Sequence, residues 1–231
     1  MLSVLAEFGI RGTFYCQALL IQNFPDIAKR MAEKHLIGSH GYNHENYGAT
    51  QVNVYTPGEP VFLEDPNKKA ELLEKCVDIH QEVLGKKPEV FVAPFDSISY
   101  DVFEILERLE FKVDSSFLNY GLGLPSVPFK PYDFNLTELP LSVLRFKNQG
   151  YKNVLQGLTL DYGRIDEVLK MDTVFITCHP YEFIEMEIPH PEHVLVIGQR
   201  KIDTLRKLFG DLSDNGYEFV DPLQFVGEAQ A

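Results

Sequence analysis

Short apolar runs alternate with helix signals along nearly the whole chain, and that alternation restricts the fold more than any other feature of the sequence. Residues 10–16, 36–39, 89–93, 111–115, 136–139, 174–178 and 217–220 read as strands. Between them, Leu2 to Phe8 reads as the end of a helix closed by Gly9, Pro25 opens a helix to about Lys34, and Pro66 starts a long one that Gly85 stops. Ser99 can cap a helix to about Leu109, another is expected near residues 164–170, and the last runs from Gln199 to about Leu212, before Gly216. A strand followed by a helix has to cross back before it can pair in parallel. The succession therefore predicts an α/β fold with a largely parallel sheet, closed as an irregular (β/α) barrel, in a single domain over residues 1–231. Residues 46–65, rich in Asn, Gly, Pro and Thr, read as an insertion.

Folds of this kind place their chemistry outside the carboxyl ends of the strands, where loops converge. His40, His44, Pro94, Asp114 and His179 all fall at such ends. The sharpest signal among them is Gly38-Ser39-His40-Gly41-Tyr42-Asn43-His44, in which two histidines four apart follow an apolar run. That spacing lets both imidazoles reach one metal ion. Gly41 stands where a helical His-Glu-x-x-His site carries its glutamate, so the pair is of a different kind. Taken alone, a His-x-x-x-His pair is more often a polar loop or a capping pair than a metal site.

With 45% hydrophobic residues the chain can build a sizeable core. A formal charge of -13 repels phosphate backbones and anionic membrane surfaces, which argues against nucleic acid and membranes as partners. Cys16, Cys76 and Cys178 have no paired spacing, so they read as core packing rather than as disulfides or zinc ligands. Cysteine usage, the lack of a basic leader and the lack of a membrane-length apolar run together predict a cytoplasmic protein. His35 and His80 read as solvated helix residues, and His190 and His193 as loop residues without a metal role.

Further segments make the pattern specific. Gly12-Thr13-Phe14-Tyr15, Ile37 to His44, Phe91-Val92-Ala93-Pro94-Phe95, Val113-Asp114-Ser115-Ser116, Glu138-Leu139-Pro140 and Ile176-Thr177-Cys178-His179-Pro180-Tyr181-Glu182 follow one another in a fixed order. In that order they resemble the motifs of the NodB-homology polysaccharide deacetylases, carbohydrate esterase family four, in the branch whose last motif reads His-Pro-Tyr-Glu. The resemblance spans residues 1 to about 221. It implies the barrel of that family and a divalent metal, read as zinc, on His40 and His44. It also implies a catalytic histidine at His179 that protonates the leaving amine, and a groove wall at residues 91–95.

Asp114 could orient His179 or cap the following turn, and His179 itself could be a strand-end histidine bonded to a backbone carbonyl. Tyr42, Phe95, Phe117, Tyr120, Tyr132 and Tyr181 flank the motifs and could stack on sugars or fill the barrel mouth. Two departures stand out. The family's first motif, a strand ending in the Asp-Asp pair that supplies the base and the third ligand, would precede Met1, and Val92 stands where the family has an arginine. Asp96 and Glu182 are the acids that could substitute for the missing carboxylate. The expected activity is metal-dependent hydrolysis of a carbon-nitrogen bond in an N-acetylated sugar or a small cyclic amide or ureide. The rival expectation is a non-catalytic protein that binds a glycan or a metal. A barrel without its first strand would leave unpaired sheet edges and invite homo-oligomers.

Overall fold

Gly9 closes helix α1 (Leu2–Glu7) as its position predicts: φ is 66°, its N–H bonds to Ala6, and the Ile10 N–H reaches back to Leu5 at 2.8 Å. A residue without Cβ takes that left-handed backbone at no steric cost. In the computed structural model, which describes residues 1–49, 61–117, 128–140, 143–146, 150–153, 165–183, 186–189, 194–197 and 199–229, the chain forms two compact units. One comprises Arg11–Phe117, Val127–Pro140 and Val220–Ala231; the other comprises Met1–Ile10, Leu118–Ser126 and Leu141–Phe219.

The first unit carries a five-stranded, all-parallel sheet in the order β1 (Thr13–Cys16), β2 (Leu36–Ser39), β3 (Val90–Phe91), β4 (Val113–Asp114) and β5 (Thr137–Glu138). Spatial order equals chain order, as in a barrel wall, whereas a doubly wound sheet reverses its order at a switch point. The predicted parallel α/β fold is observed. Paired segments are shorter than the apolar runs, because Ala93 and Phe111 are buried yet lie outside the ladder. An apolar run reports burial, whereas a strand also needs a neighbour's N–H and C=O in register. The same distinction corrects two expectations: residues 174–178 and 217–220 are not strands of any sheet among the described residues. Tyr217 instead donates its hydroxyl to the carbonyl of Met171.

Helices α2 (Ala18–Asn23), α3 (Pro25–Ala32), α4 (Pro66–Leu84) and α5 (Tyr100–Arg108) connect the strands. Helix α4 begins and ends where predicted, with the Asp65 carboxylate accepting from Asn67 N–H at 2.9 Å and Gly85 at φ 75°. Its inward stripe feeds two apolar cores. Leu73 and Val77 join Phe91, Phe103, Leu106 and Leu136, while Cys76 and Ile79 join Ala18, Ile21 and Ile37. Ser99 stands at the α5 N-cap without capping it, since its hydroxyl lies between Lys69 Nζ (2.7 Å), the Tyr47 carbonyl (2.8 Å) and Asp101.

Both helix histidines are corrected. His80 is 1% exposed on α4, with Nδ1 2.7 Å from the Cys76 carbonyl. His35 is a buried turn residue ahead of β2, accepting from Gly12 N–H and packing on Phe14. A histidine at a helical position is drawn inward when a local backbone group satisfies a ring nitrogen, and sequence periodicity does not report that bond. Tyr120, His190 and His193 lie outside the described residues.

The second unit pairs β6 (Val143–Phe146) with β7 (Gly150–Asn153) as one antiparallel hairpin. It also contains α6 (Ile165–Val168), a second hairpin of β8 (Met186–Pro189) with β9 (Val194–Ile197), and α7 (Gln199–Asp214). Helix α1 packs on α7 through Phe8 and Phe209 and through an exposed Glu7–Arg206 ion pair. Back in the sheet unit, α8 (Pro222–Ala229) is a helix that the strand pattern did not predict. The Asp221 carboxylate caps it by accepting from Leu223 and Gln224 N–H at 3.0 Å, and pairs with Arg11 at 3.1 Å. Among the described residues no helix is long and apolar enough to cross a membrane.

Candidate functional site

His40 is the first residue past β2, and its N–H continues the ladder to Cys16 at 2.9 Å. The chain then turns sharply. Gly41 takes φ 73°, and a Cβ there would lie 2.8 Å from the Tyr47 ring, so glycine alone fits the turn. Helix α2 has no side-chain cap, and its first N–H groups bond instead to the carbonyls of Gly41 and Tyr42, at 2.9 and 3.0 Å. The turn is thereby pinned from outside. It delivers His44, at φ 65°, so that its ring meets that of His40 edge to face with centroids 5.0 Å apart.

The His40 ring has a defined tautomer, because Nδ1 stands 2.7 Å from the Val92 carbonyl oxygen. A carbonyl only accepts, so Nδ1 carries the proton and the lone pair of the neutral ring lies on Nε2. A backbone carbonyl bonded to the far nitrogen is the usual support of a metal-binding imidazole. The arrangement fits a divalent ion bound by His40 and His44. Among the described residues no third His, Cys, Asp or Glu joins them in a ligand-sized group. Phe95 packs its ring on His44 at 4.5 Å from the loop after β3, where Phe95 and Asp96 both hold left-handed backbone, at φ 63° and 50°.

Two strands further along the sheet, Asp114 and Glu138 are register partners on β4 and β5, both fully buried. Ser116 donates to Asp114 through its hydroxyl at 2.6 Å and its N–H at 3.2 Å, and Phe117 N–H donates to Glu138 at 2.9 Å. Burial raises the pKa of both, and the adjacent Asp114 charge raises Glu138 further, well above the ordinary carboxyl value. Tyr15 of β1 is raised too, chiefly by burial, with Asp114, Glu138 and Asp221 adding to the shift.

The predicted residues are thus distributed unevenly. His40 and His44 are brought together, and Asp114 lies in the same sheet, bonded to Ser116. His179 belongs to the other unit, just before a 3-10 turn at Pro180–Phe183. Sequence reasoning missed Glu45, whose buried carboxylate accepts from the Tyr42 and Asn43 N–H groups. It assigned Glu138 no role. It also weighed Val92 by its side chain, whereas the structure uses its carbonyl, which any residue would supply.

Residues 1–113 match the family model for polysaccharide deacetylase. The chain is similar to the peptidoglycan deacetylase-like protein FGM2 of Gibberella zeae, 29% identical over 127 residues that make up 54% of this chain and 33% of that protein. It is also similar to a peptidoglycan deacetylase of Helicobacter pylori, 25% identical over 120 residues, 52% of this chain and 36% of that one. The matched region thus spans about a third of these relatives. A crystal structure named for a polysaccharide deacetylase of Mycobacterium smegmatis matches with TM-score 0.48 and 25% identity, covering 61% of this chain and 44% of the other. Within the deacetylase superfamily match fall His40, His44, Glu45 and the Val92 carbonyl, and beyond it lie Asp114, Glu138 and His179.

Proposed function

We propose that this chain is a metal-dependent hydrolase of a non-peptide carbon-nitrogen bond, removing the acetyl group from an N-acetylated sugar or polysaccharide. The carrying observation is the His40–His44 pair, with ring centroids 5.0 Å apart and the His40 tautomer set by Val92. A divalent ion on this pair, zinc in our reading, would supply Lewis acidity toward an amide carbonyl. His40 and His44 would hold it through ring nitrogens that the turn at Gly41 orients. Phe95 covers one edge of His44 and limits water there. His179 is our candidate for delivering a proton to the leaving amine nitrogen. The names of the curated relatives favour a glycan over a small cyclic amide.

The test loads the protein with Zn²⁺ and offers chitooligosaccharides, peptidoglycan fragments and cyclic ureides. Acetate released from the glycans, and lost in His40→Ala, supports the reading. No release above that control sinks it. A second reading, a glycan- or metal-binding protein without turnover, is favoured by the Val92 substitution and by a ligand set of two among the described residues. Metal binding by the wild type without turnover would select it.

A further inference from the structure

We infer that Glu45 is the positioning residue of the histidine pair, an inference that rests on the metal-site reading above. Its side chain is buried, at 5% exposure, in a place where a carboxylate is costly unless hydrogen bonds compensate. Three donors converge on it. Asn43 N–H lies 3.0 Å from each carboxylate oxygen, Tyr42 N–H donates to Oε2 at 3.2 Å, and the Tyr47 hydroxyl donates to the same oxygen at 3.3 Å. Two of these donors are the backbone of the turn that separates His40 from His44. The carboxylate therefore holds the turn itself, and with the Tyr47 ring it lies against Gly41, whose absent Cβ would sit 3.3 Å from Oε2.

His44 needs such a hold. Its left-handed backbone is unfavourable by about 1–2 kcal/mol for a residue with a Cβ, and it persists only where the surroundings impose it. Downstream, Asn46 is tied to residues 61–63 through its N–H to the Val61 carbonyl at 2.9 Å and its carbonyl to Leu63 N–H at 3.2 Å. Ser99 N–H secures the Tyr47 carbonyl at 3.2 Å. These bonds fix the chain after His44, whereas Glu45 accepts from the N–H groups of the two residues before it, whose turn α2 holds only through the Gly41 and Tyr42 carbonyls. With the acid gone, the Tyr42 and Asn43 N–H groups lose their acceptor, the turn relaxes, and His44 drifts from His40. Glutamine does not replace it, because its amide offers one acceptor oxygen and sets two further donors against three existing ones.

The experiment titrates Co²⁺ into wild type, Glu45→Gln, Glu45→Asp and His44→Ala, following the visible ligand-field absorption, and records thermal unfolding of each metal-free protein. Loss of a residue that orients a ligand typically weakens metal binding by about 10–100-fold. We expect Glu45→Gln to fall in that range with an altered absorption band, and Glu45→Asp to lie between it and wild type. A merely structural acid would lower the unfolding temperature and leave affinity and spectrum as in wild type, and that result overturns the inference while the metal-site reading stands. If Glu45→Gln does not fold, wild-type Co²⁺ affinity in Glu45→Asp overturns it equally. Wild type binding Co²⁺ no better than His44→Ala removes the metal-site reading, and this inference with it.

Discussion

The rings of His44 and Phe95 meet edge to face at 4.5 Å, and both residues hold left-handed backbone, at φ 65° and 63°. Two unfavourable conformations from separate loops are thus spent on one contact beside the candidate metal site. Replacing Phe95 separates ring from backbone. Phe95→Ala and Phe95→Gly both remove the ring, but only glycine relieves the backbone. Phe95→Gly is expected to be more stable than Phe95→Ala by about 1 kcal/mol, the residue of strain relief over the added freedom of its unfolded chain. Both variants should lose hydrolysis to the same extent. Urea denaturation and a glycan deacetylation assay measure the two quantities, and Phe95→Ala proving the more stable of the two variants would show that the contact carries no backbone strain.

Gly41 sets the entry to the same turn, and Gly41→Ala tests how much slack surrounds it. The new methyl meets the Tyr47 ring at 2.8 Å, and the ring is fully buried and bonded to Glu45, so it has little room to move. Left-handed strain and overpacking together are expected to cost about 2–4 kcal/mol. Metal affinity should fall in parallel, because the displaced Tyr47 pushes on the acid that holds the turn. Thermal unfolding and Co²⁺ titration of the variant check both.

The sequence made the scaffold legible and left its fastenings hidden. Helix α4 could be read to its last residue because Asp65-Pro66 and Gly85 are local signals, and α8 carried the same kind of start in Asp221-Pro222, which a strand reading passed over. The His40–His44 pair was legible because both residues lie in one short motif. Its support was not. The Val92 carbonyl, 52 positions away, is chemically anonymous in a sequence, and Glu45 is one acid among 34 acidic residues until its three donors are seen. Residues 174–178 have a strand's composition, but pairing is a property of the neighbour.

His80 predicts an acid limit to stability. Burial lowers its pKa, with a smaller opposing effect from its backbone bonds, while in the unfolded chain it titrates near 6.5. Below that pH the unfolded state takes up a proton that the folded state refuses. The stabilisation is therefore present above pH 6.5 and is lost as pH falls toward the folded value, by at most about 1.4 kcal/mol per pH unit. His80→Gln can still donate to the Cys76 carbonyl and carries no titrating group. Its unfolding free energy should change less than that of wild type between pH 7 and pH 5 in urea titrations. His35, also lowered by burial, leaves some residual slope.

Glu138 gives the opposite sign on the alkaline side. Its folded pKa is raised by burial and by the Asp114 charge, so the unfolded carboxyl ionises first, near its ordinary value of 4.5. From there upward the unfolded state sheds a proton that the folded state retains, and stability falls until the folded value is passed. Glu138→Gln mimics the protonated acid, since the amide oxygen preserves the acceptor used by Phe117 N–H and no charge is needed beside Asp114. The variant should match wild type near pH 4 and become the more stable of the two by pH 8, because the neutral side chain escapes the cost of ionising inside the sheet. Parallel urea titrations across that range decide it. A constant deficit at every pH would mean that the buried pair ionises without cost, and that the proton assigned to it is absent.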